Sequence, residues 1–195
     1  MSRGLPGLLA FGLAATLLLA GCGGEYAAER RLWRAEKLMK KLAADPAPAP
    51  AGLFVQTRES FEAVLREFPR STAAASALFS IGRLHLMARE PRKAEETFQK
   101  IVAEHSTDRA IAASALSAMA ALQERDGRRA EADRSYQDLM ARYEGTSSSL
   151  PAPLYLARRA SREGNPQAAE TAYTDAAHYY QNLERKNHGQ PLGLA

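Results

Sequence analysis

Beyond residue 24 apolar side chains recur at spacings of three and four, and no stretch sustains an apolar–polar alternation of period two. That pattern describes helices. Ala, Leu, Arg and Glu dominate these segments and β-branched residues are sparse, so intrinsic preference points the same way. Breaks fall at Asp45-Pro46-Ala47-Pro48-Ala49-Pro50, Pro69-Arg70-Ser71, Glu90-Pro91, Asp126-Gly127, Gly145 to Pro153 and Gly164-Asn165-Pro166. They divide the chain into eight predicted helices, at about 26–43, 53–68, 72–88, 91–104, 108–125, 128–143, 152–163 and 166–185. Pro91 and Pro166 suit the first turn of their helices, where a missing N–H removes no intrahelical bond. The Pro-rich stretch, 45–52 with its flank, reads as a stiff polyproline-like connector.

The helices are not independent of one another. Ala94, Phe98 and Ile101 set a small, an aromatic and an aliphatic residue at spacings of four and three. The same spacing returns at Ala132, Tyr136 and Leu139 and at Ala169, Tyr173 and Ala176, with a degenerate earlier copy at Thr57, Phe61 and Val64. The offsets are 37, 38 and 37 residues, and in two copies a glycine, Gly127 or Gly164, stands five residues before the alanine. A period in this range marks stacked supersecondary units, none able to bury its apolar face alone. The small residue lets two helices approach and the aromatic fills the space beside it.

This set resembles the tetratricopeptide repeat (TPR). Gly82, at the end of Ala77-Leu78-Phe79-Ser80-Ile81-Gly82, stands at the Leu-Gly position of that family's first helix, and Pro69 at its closing proline. Later units depart from the pattern: Ala120 and Ala157 replace the glycine, and Ser106 stands near where a closing proline is common. The resemblance spans roughly residues 26–185. It implies an all-α fold, a TPR-like right-handed α-solenoid of about four helix pairs.

The first residues follow a different pattern. Arg3 precedes an apolar run from Leu5 to Leu19, and the small pair Ala20-Gly21 then leads to Cys22, the one cysteine of the chain. A positive start, a short apolar run and small residues at a cut site make an export signal. Leu19-Ala20-Gly21-Cys22 also resembles the lipobox of bacterial lipoproteins, which implies cleavage before Cys22 and lipidation of its thiol and new amine. Residues 1–21 are then a lipoprotein signal peptide, 22–25 a lipidated tether, 26–185 the repeat domain and 186–195 a flexible C-terminal tail. Gly23, where Asp would signal inner-membrane retention in that family, implies an outer-membrane location facing the periplasm.

Removal of the signal leaves 174 residues carrying 25 basic and 22 acidic side chains, a net charge of +3. So weak an excess does not point to nucleic acid. No second apolar run reaches the roughly 18 residues that span a bilayer, which leaves acyl chains as the evident anchor. A single cysteine excludes an internal disulfide and a thiolate zinc site.

Reactive constellations are not evident. His85, His105, His178 and His188 are scattered, with no His-Glu-x-x-His, no Gly-x-Ser-x-Gly and no phosphate-binding glycine loop. Ser147-Ser148-Ser149 reads as flexible linker, and Glu95-Glu96 and Glu29 with Glu36 as solvated helix faces. His178 falls beside a stripe of Tyr173, Ala176, Ala177, Tyr180 and Leu183 that reads as core. No catalytic residue, metal site or cofactor is expected, and an enzyme is disfavoured.

Binding surfaces remain. By the resemblance, motif positions five, nine and twelve of each first helix line a groove: Phe79, Arg83 and Leu86, then Ser117, Ala121 and Glu124, then Leu154, Arg158 and Ser161, with Met87 and Arg162 at position thirteen. Basic residues at both ends suit an extended acidic or C-terminal peptide. The family's Lys and Asn clamp for chaperone tails is missing.

The first helix carries a second candidate face. Ala28, Leu32, Ala35, Met39 and Leu42 form an apolar stripe, while Tyr26 and Trp33 lie nearly opposite among Arg30, Arg34, Lys37, Lys40 and Lys41. Such a face suits a bilayer headgroup zone. The cost of a wet tryptophan favours instead packing of Trp33 against the helix at 53–68 or against a partner protein.

The expected function is a membrane-anchored periplasmic scaffold that binds envelope proteins through its TPR groove. The lipobox followed by repeats resembles the barrel-assembly lipoproteins of the BamD type, most nearly in Leu32-Trp33-Arg34-Ala35-Glu36-Lys37-Leu38 and Phe61 to Pro69. The alternative is an accessory lipoprotein that binds cell-wall glycan or assists an envelope hydrolase.

Overall fold

The computed structural model describes residues 7–44 and 51–187, and every extended regular element among them is an α-helix. In chain order these are α1 (Gly7–Ala44), α2 (Ala51–Glu67), α3 (Thr72–Met87), α4 (Pro91–Glu104), α5 (Arg109–Arg125), α6 (Arg129–Arg142), α7 (Ala152–Arg162) and α8 (Pro166–Asn187). From α2 onward each boundary falls within two residues of its predicted place. The connector residues 45–50, the signal residues 1–6 and the tail residues 188–195 lie outside the described residues. Residues 51 and 52 open α2 and 186 and 187 close α8, so these four positions are helical.

The first helix departs most from expectation. It starts at Gly7 and runs without a break through positions 22–25, where a tether was expected. Gly23 and Gly24 each cost about 1 kcal/mol relative to alanine in a helix. That is too little to interrupt the Leu- and Ala-rich run on one side and the Ala-, Glu- and Arg-rich run on the other. Among the described residues no helix is long and apolar enough to cross a membrane.

The chain forms two compact units that divide between Ile81 and Gly82, within α3. In the first, α1 packs on α2. The predicted stripe is the packed face: Ala28, Ala35, Met39 and Leu42 are buried, as are Thr57, Phe61 and Val64 of the degenerate repeat. The buried Thr57 hydroxyl donates to Leu53 O at 2.7 Å, so a polar atom in the α2 core carries no unmet bond. Ser71 caps α3, its Oγ accepting from Ala74 N at 3.2 Å. Glu25 reaches the same helix start, accepting from Thr72 N at 2.9 Å and from the Thr72 hydroxyl.

In the second unit each helix packs on the next, α4 on α5, α5 on α6, α6 on α7 and α7 on α8. This order follows from the repeat pattern, since each copy buries its small–aromatic–aliphatic face against the helices beside it, and α5 also shares its core with α7. Ala94, Phe98 and Ile101 are buried, and so are Ala132, Tyr136 and Leu139, the latter within a cluster that includes Ala112, Leu116, Ala120, Tyr143 and Ala152. Phe98 lies against the backbone of α3: a Cβ built on Gly82 would stand 2.5 Å from Phe98 Cε1 and 2.9 Å from Cζ. The glycine at the family's Leu-Gly position is thus a contact surface for the ring.

The third copy is a correction. Ala176 is buried, but Tyr173 is 43 % exposed, and the wider stripe is only partly core because Ala177 is also exposed. Tyr136 owes its cover partly to the helix after it, and no helix follows α8 among the described residues.

The repeat turns share one backbone device. Gly127 and Gly164 both have φ of +76°, in the left-handed region that closes a helix, and Arg89 adopts φ of +61° at the equivalent place five residues before Ala94. The repeat therefore keeps this conformation even where it lacks the glycine.

Candidate functional site

The groove positions converge in part. Glu124 near the C-terminal end of α5 and Leu154, Arg158 and Arg162 of α7 line one cleft of about 420 Å³, together with Pro151, Tyr155 and Arg159. Leu154, Arg158 and Arg162 are spaced four apart, so the helical repeat stacks them on a single face of α7. Arg158 and Arg162 are exposed and make no ion pair with any described residue, and Leu154 is 38 % exposed beside them.

The floor of this cleft is rigid. Tyr155 stacks on Tyr136 of α6 with ring centroids 4.0 Å apart and planes inclined by 35°. Arg159 is held from two sides, Nη2 at 2.6 Å from Asp133 of α6 and Nη1 at 2.7 Å from Glu163. Burial pushes the Tyr155 hydroxyl far above the usual phenol range, with the Glu124 carboxylate adding to the effect. Burial likewise raises Tyr136. Asp133 is raised by burial despite the opposing charge of Arg159, and its Oδ1 accepts no hydrogen bond. Tyr155 therefore stays a neutral aromatic wall at all ordinary pH values. Arg158 and Arg162, without an ion pair among the described residues, supply the charge.

Such an arrangement is suited to binding. Paired guanidiniums on a helix face recognise carboxylates, and Leu154 with the Tyr155 ring offers an apolar flank for the neighbouring residue of a ligand. Among the described residues no three His, Cys, Asp or Glu side chains are grouped to hold a metal ion.

The other predicted groove residues stand apart from this cleft's lining. Arg83 is exposed and Leu86 half-buried, both on the part of α3 that belongs to the second unit, while Phe79 is half-buried in the first unit. Met87 is exposed, Ser117 half-buried, and Ala121 and Ser161 exposed.

The face opposite the packed stripe of α1 is open. Tyr26 is 67 % and Trp33 55 % exposed, so Trp33 does not pack against α2 as expected. The reason is angular: α1 presents its alanine, Met39 and Leu42 edge to α2, which turns Trp33 outward. Lys37 Nζ lies 3.7 Å above the Trp33 ring, and the Arg30 guanidinium 5.9 Å from the Tyr26 centroid. Arg34 is exposed, and with Arg31, Gln56, Glu59 and Ser60 it lines a cleft between α1 and α2. Cys22 falls within the backbone of α1.

Several anchoring residues escape a reading of the sequence alone. Glu95 is no solvated face residue. It accepts both nitrogens of Arg128, at 2.6 and 3.0 Å, and Gln123 Nε2 at 3.0 Å, while Ser135 donates to buried Gln123 at 2.8 Å. Hydrogen bonds from Arg128 hold the Glu95 carboxyl below the usual range, against the opposing effect of burial. The loop from Tyr143 to Pro151 is not a flexible linker either. Thr146 and Ser149 are buried and hydrogen-bonded to Tyr143 O and Thr146 O, and Arg109 donates to Arg142 O and Glu144 O at 3.0 and 3.1 Å. Tyr180 of α8 donates to Leu150 O at 2.6 Å and so ties the loop from the other side. One signal for the acids does exist: Glu95 and Asp133 each directly follow the repeat alanine, at Ala94 and Ala132.

Residues 76–108, covering most of α3 and all of α4, match the family model described as tetratricopeptide repeat. No curated protein matches the chain, and no solved structure does. The match contains Gly82 and Phe98, which lie in contact, and the buried Ala94 and Ile101. By this match residues 76–108 form one tetratricopeptide repeat of the chain.

Proposed function

We propose that the protein is a lipid-anchored scaffold that recruits an acidic, extended segment of a partner protein through the α7 cleft. The tetratricopeptide repeat makes it an interaction scaffold in the general sense. The observation that carries the finer reading is the pair Arg158 and Arg162, unpaired among the described residues and stacked beside Leu154 above a fixed tyrosine floor. A carboxylate-bearing chain in extended form would meet both guanidiniums while its apolar residue contacts Leu154. The site of action is the periplasmic side of the outer membrane, held through acylated Cys22. Support for that placement is the Leu19-Ala20-Gly21-Cys22 pattern after an apolar run, with Gly23 following. Anchoring would raise the effective concentration of the partner at the membrane without any chemical step.

The test is affinity capture from detergent-solubilised envelopes, comparing the wild type with Arg158→Glu/Arg162→Glu. A defined protein recovered by the wild type and lost from the variant is expected. Equal recovery by both, or enrichment of wall fragments alone, overturns the reading. Labelled palmitate should appear on the wild type and not on Cys22→Ala.

A further inference from the structure

We propose that the outward face of α1 is a second membrane contact, which docks on an anionic bilayer surface and lays the helix along it. The face is defined on both sides. Ala28, Ala35, Met39 and Leu42 are buried, which fixes the rotation of α1 about its axis and leaves Tyr26 and Trp33 pointing away from the packed side. Around these two rings the helix carries Arg30, Arg34, Lys37, Lys40 and Lys41, all exposed. The acids on this side are Glu29, Glu36 and Glu25, the last turned to Thr72 at the start of α3, so five cations face three anions of which one is already engaged. Lys37 over Trp33 and Arg30 near Tyr26 place cation and ring at one level, as the headgroup zone of a bilayer requires.

Position along the helix gives the occupant. At 100° per residue, position 22 shares a face with Tyr26, Trp33 and Lys40, and α1 is continuous between them. With about 1.5 Å of rise per residue, Tyr26 stands about 6 Å and Trp33 about 16 Å from that position along the axis. An acyl chain attached at position 22 would bring this part of α1 to the lipid. A protein partner burying Trp33 would have to desolvate Lys37 and Lys40 on the same face. A headgroup layer instead receives the ring and pairs the ammonium groups with phosphates. The proposal rests on the Cys22 anchor for the height of the helix, although the charge and the rings act without it.

Trp33 is the chain's single tryptophan, so its fluorescence reports this face alone. The mature acylated protein is reconstituted into phosphatidylcholine vesicles with and without phosphatidylglycerol, each carrying lipid brominated near the headgroup. On anionic vesicles Trp33 emission should shift to the blue, be quenched by the brominated lipid and be shielded from aqueous iodide. Arg30→Glu/Lys37→Glu, both exposed substitutions checked for unchanged helicity by circular dichroism, should lose that quenching and return the emission to its value on neutral vesicles. Flotation with unchanged, iodide-accessible Trp33 on both lipids overturns the proposal and leaves the anchor standing. Absence of flotation and of palmitate overturns the anchor, and the same emission is then read with vesicles added at low salt. A blue shift there sustains the docking face, and none overturns it.

Discussion

Gly82→Ala is the substitution whose outcome separates tertiary contact from helix propensity. In an exposed helix interior the change adds about 0.8–1 kcal/mol of stability. Here the new Cβ would stand 2.5 Å from Phe98 Cε1, 2.9 Å from Cζ and 3.0 Å from Cδ1, whereas ordinary van der Waals contact begins at 3.4 Å and real Cβ atoms essentially never come under 3.0 Å. The ring cannot swing clear, because Phe98 is fully buried. Relief must come from an off-rotamer ring or from separating α4 from α3, and overpacking of this kind costs about 1–3 kcal/mol. The net loss is about 0–2 kcal/mol after the propensity gain, which at this chain length lowers Tm by up to about 8 °C. Gly82 and Phe98 belong to one compact unit, so the unfolding of that unit is the transition to follow, by ellipticity at 222 nm against heat and urea. Phe98→Leu supplies the second corner of a double-mutant cycle. A shorter side chain opens the space, and the penalty of Gly82→Ala should shrink by about 1 kcal/mol in that background. A higher Tm for Gly82→Ala alone, or effects that add within about 0.5 kcal/mol, would refute close contact as the reason for the glycine.

Four further outcomes follow from the same geometry. Arg89→Gly should stabilise the protein by about 0.5–1 kcal/mol in urea titration, by removing a left-handed arginine at φ of +61°, whereas Gly127→Ala and Gly164→Ala should each destabilise it by about 1 kcal/mol. Glu95→Gln should cost about 1–2 kcal/mol at pH 7 by breaking the Arg128 pair. Because the Glu95 carboxyl is held below its ordinary value of 4.5, that stability is fully present above about 4.5 and is lost as pH falls through the folded value, so wild type and variant should converge in acid. Arg159→Ala leaves Asp133 in a half-buried site with no ion pair and should lower Tm, while Asp133→Asn in the same background restores part of the loss. Tyr155→Phe should leave stability within about 0.5 kcal/mol, since no group stands in good hydrogen-bond geometry to the hydroxyl and the nearby Glu124 carboxylate is exposed to water; a large loss would show that Glu124 accepts from it.

What could be read ahead of the structure, and what could not, divides along the range of the forces involved. Helix limits depend on proline, glycine and the three-and-four spacing, all local, and the seven later helices fall within two residues of their predicted ends. The buried alanine–aromatic–aliphatic triplets were legible for the same reason, because a repeat must bury the same face each time. Tyr173 broke that rule since periodicity says nothing of whether another helix follows to cover the ring. Glu95 and Arg128 lie 33 residues apart, and nothing local to either tells of the other. The loop after α6 looked like a serine-rich linker because its anchors, Arg109 and Tyr180, reside in distant helices. For the α7 cleft, the family's position rule placed Glu124, Leu154, Arg158 and Arg162 together, yet it could not tell free arginines from occupied ones. Arg159, adjacent to Arg158 in sequence, is consumed by Asp133 and Glu163, while Arg158 and Arg162 are not. Only that difference separates a structural cation from one able to hold a ligand. A competent surface here is thus defined by which charges the fold leaves unspent, and the repeat pattern determines where they stand but not whether they are free.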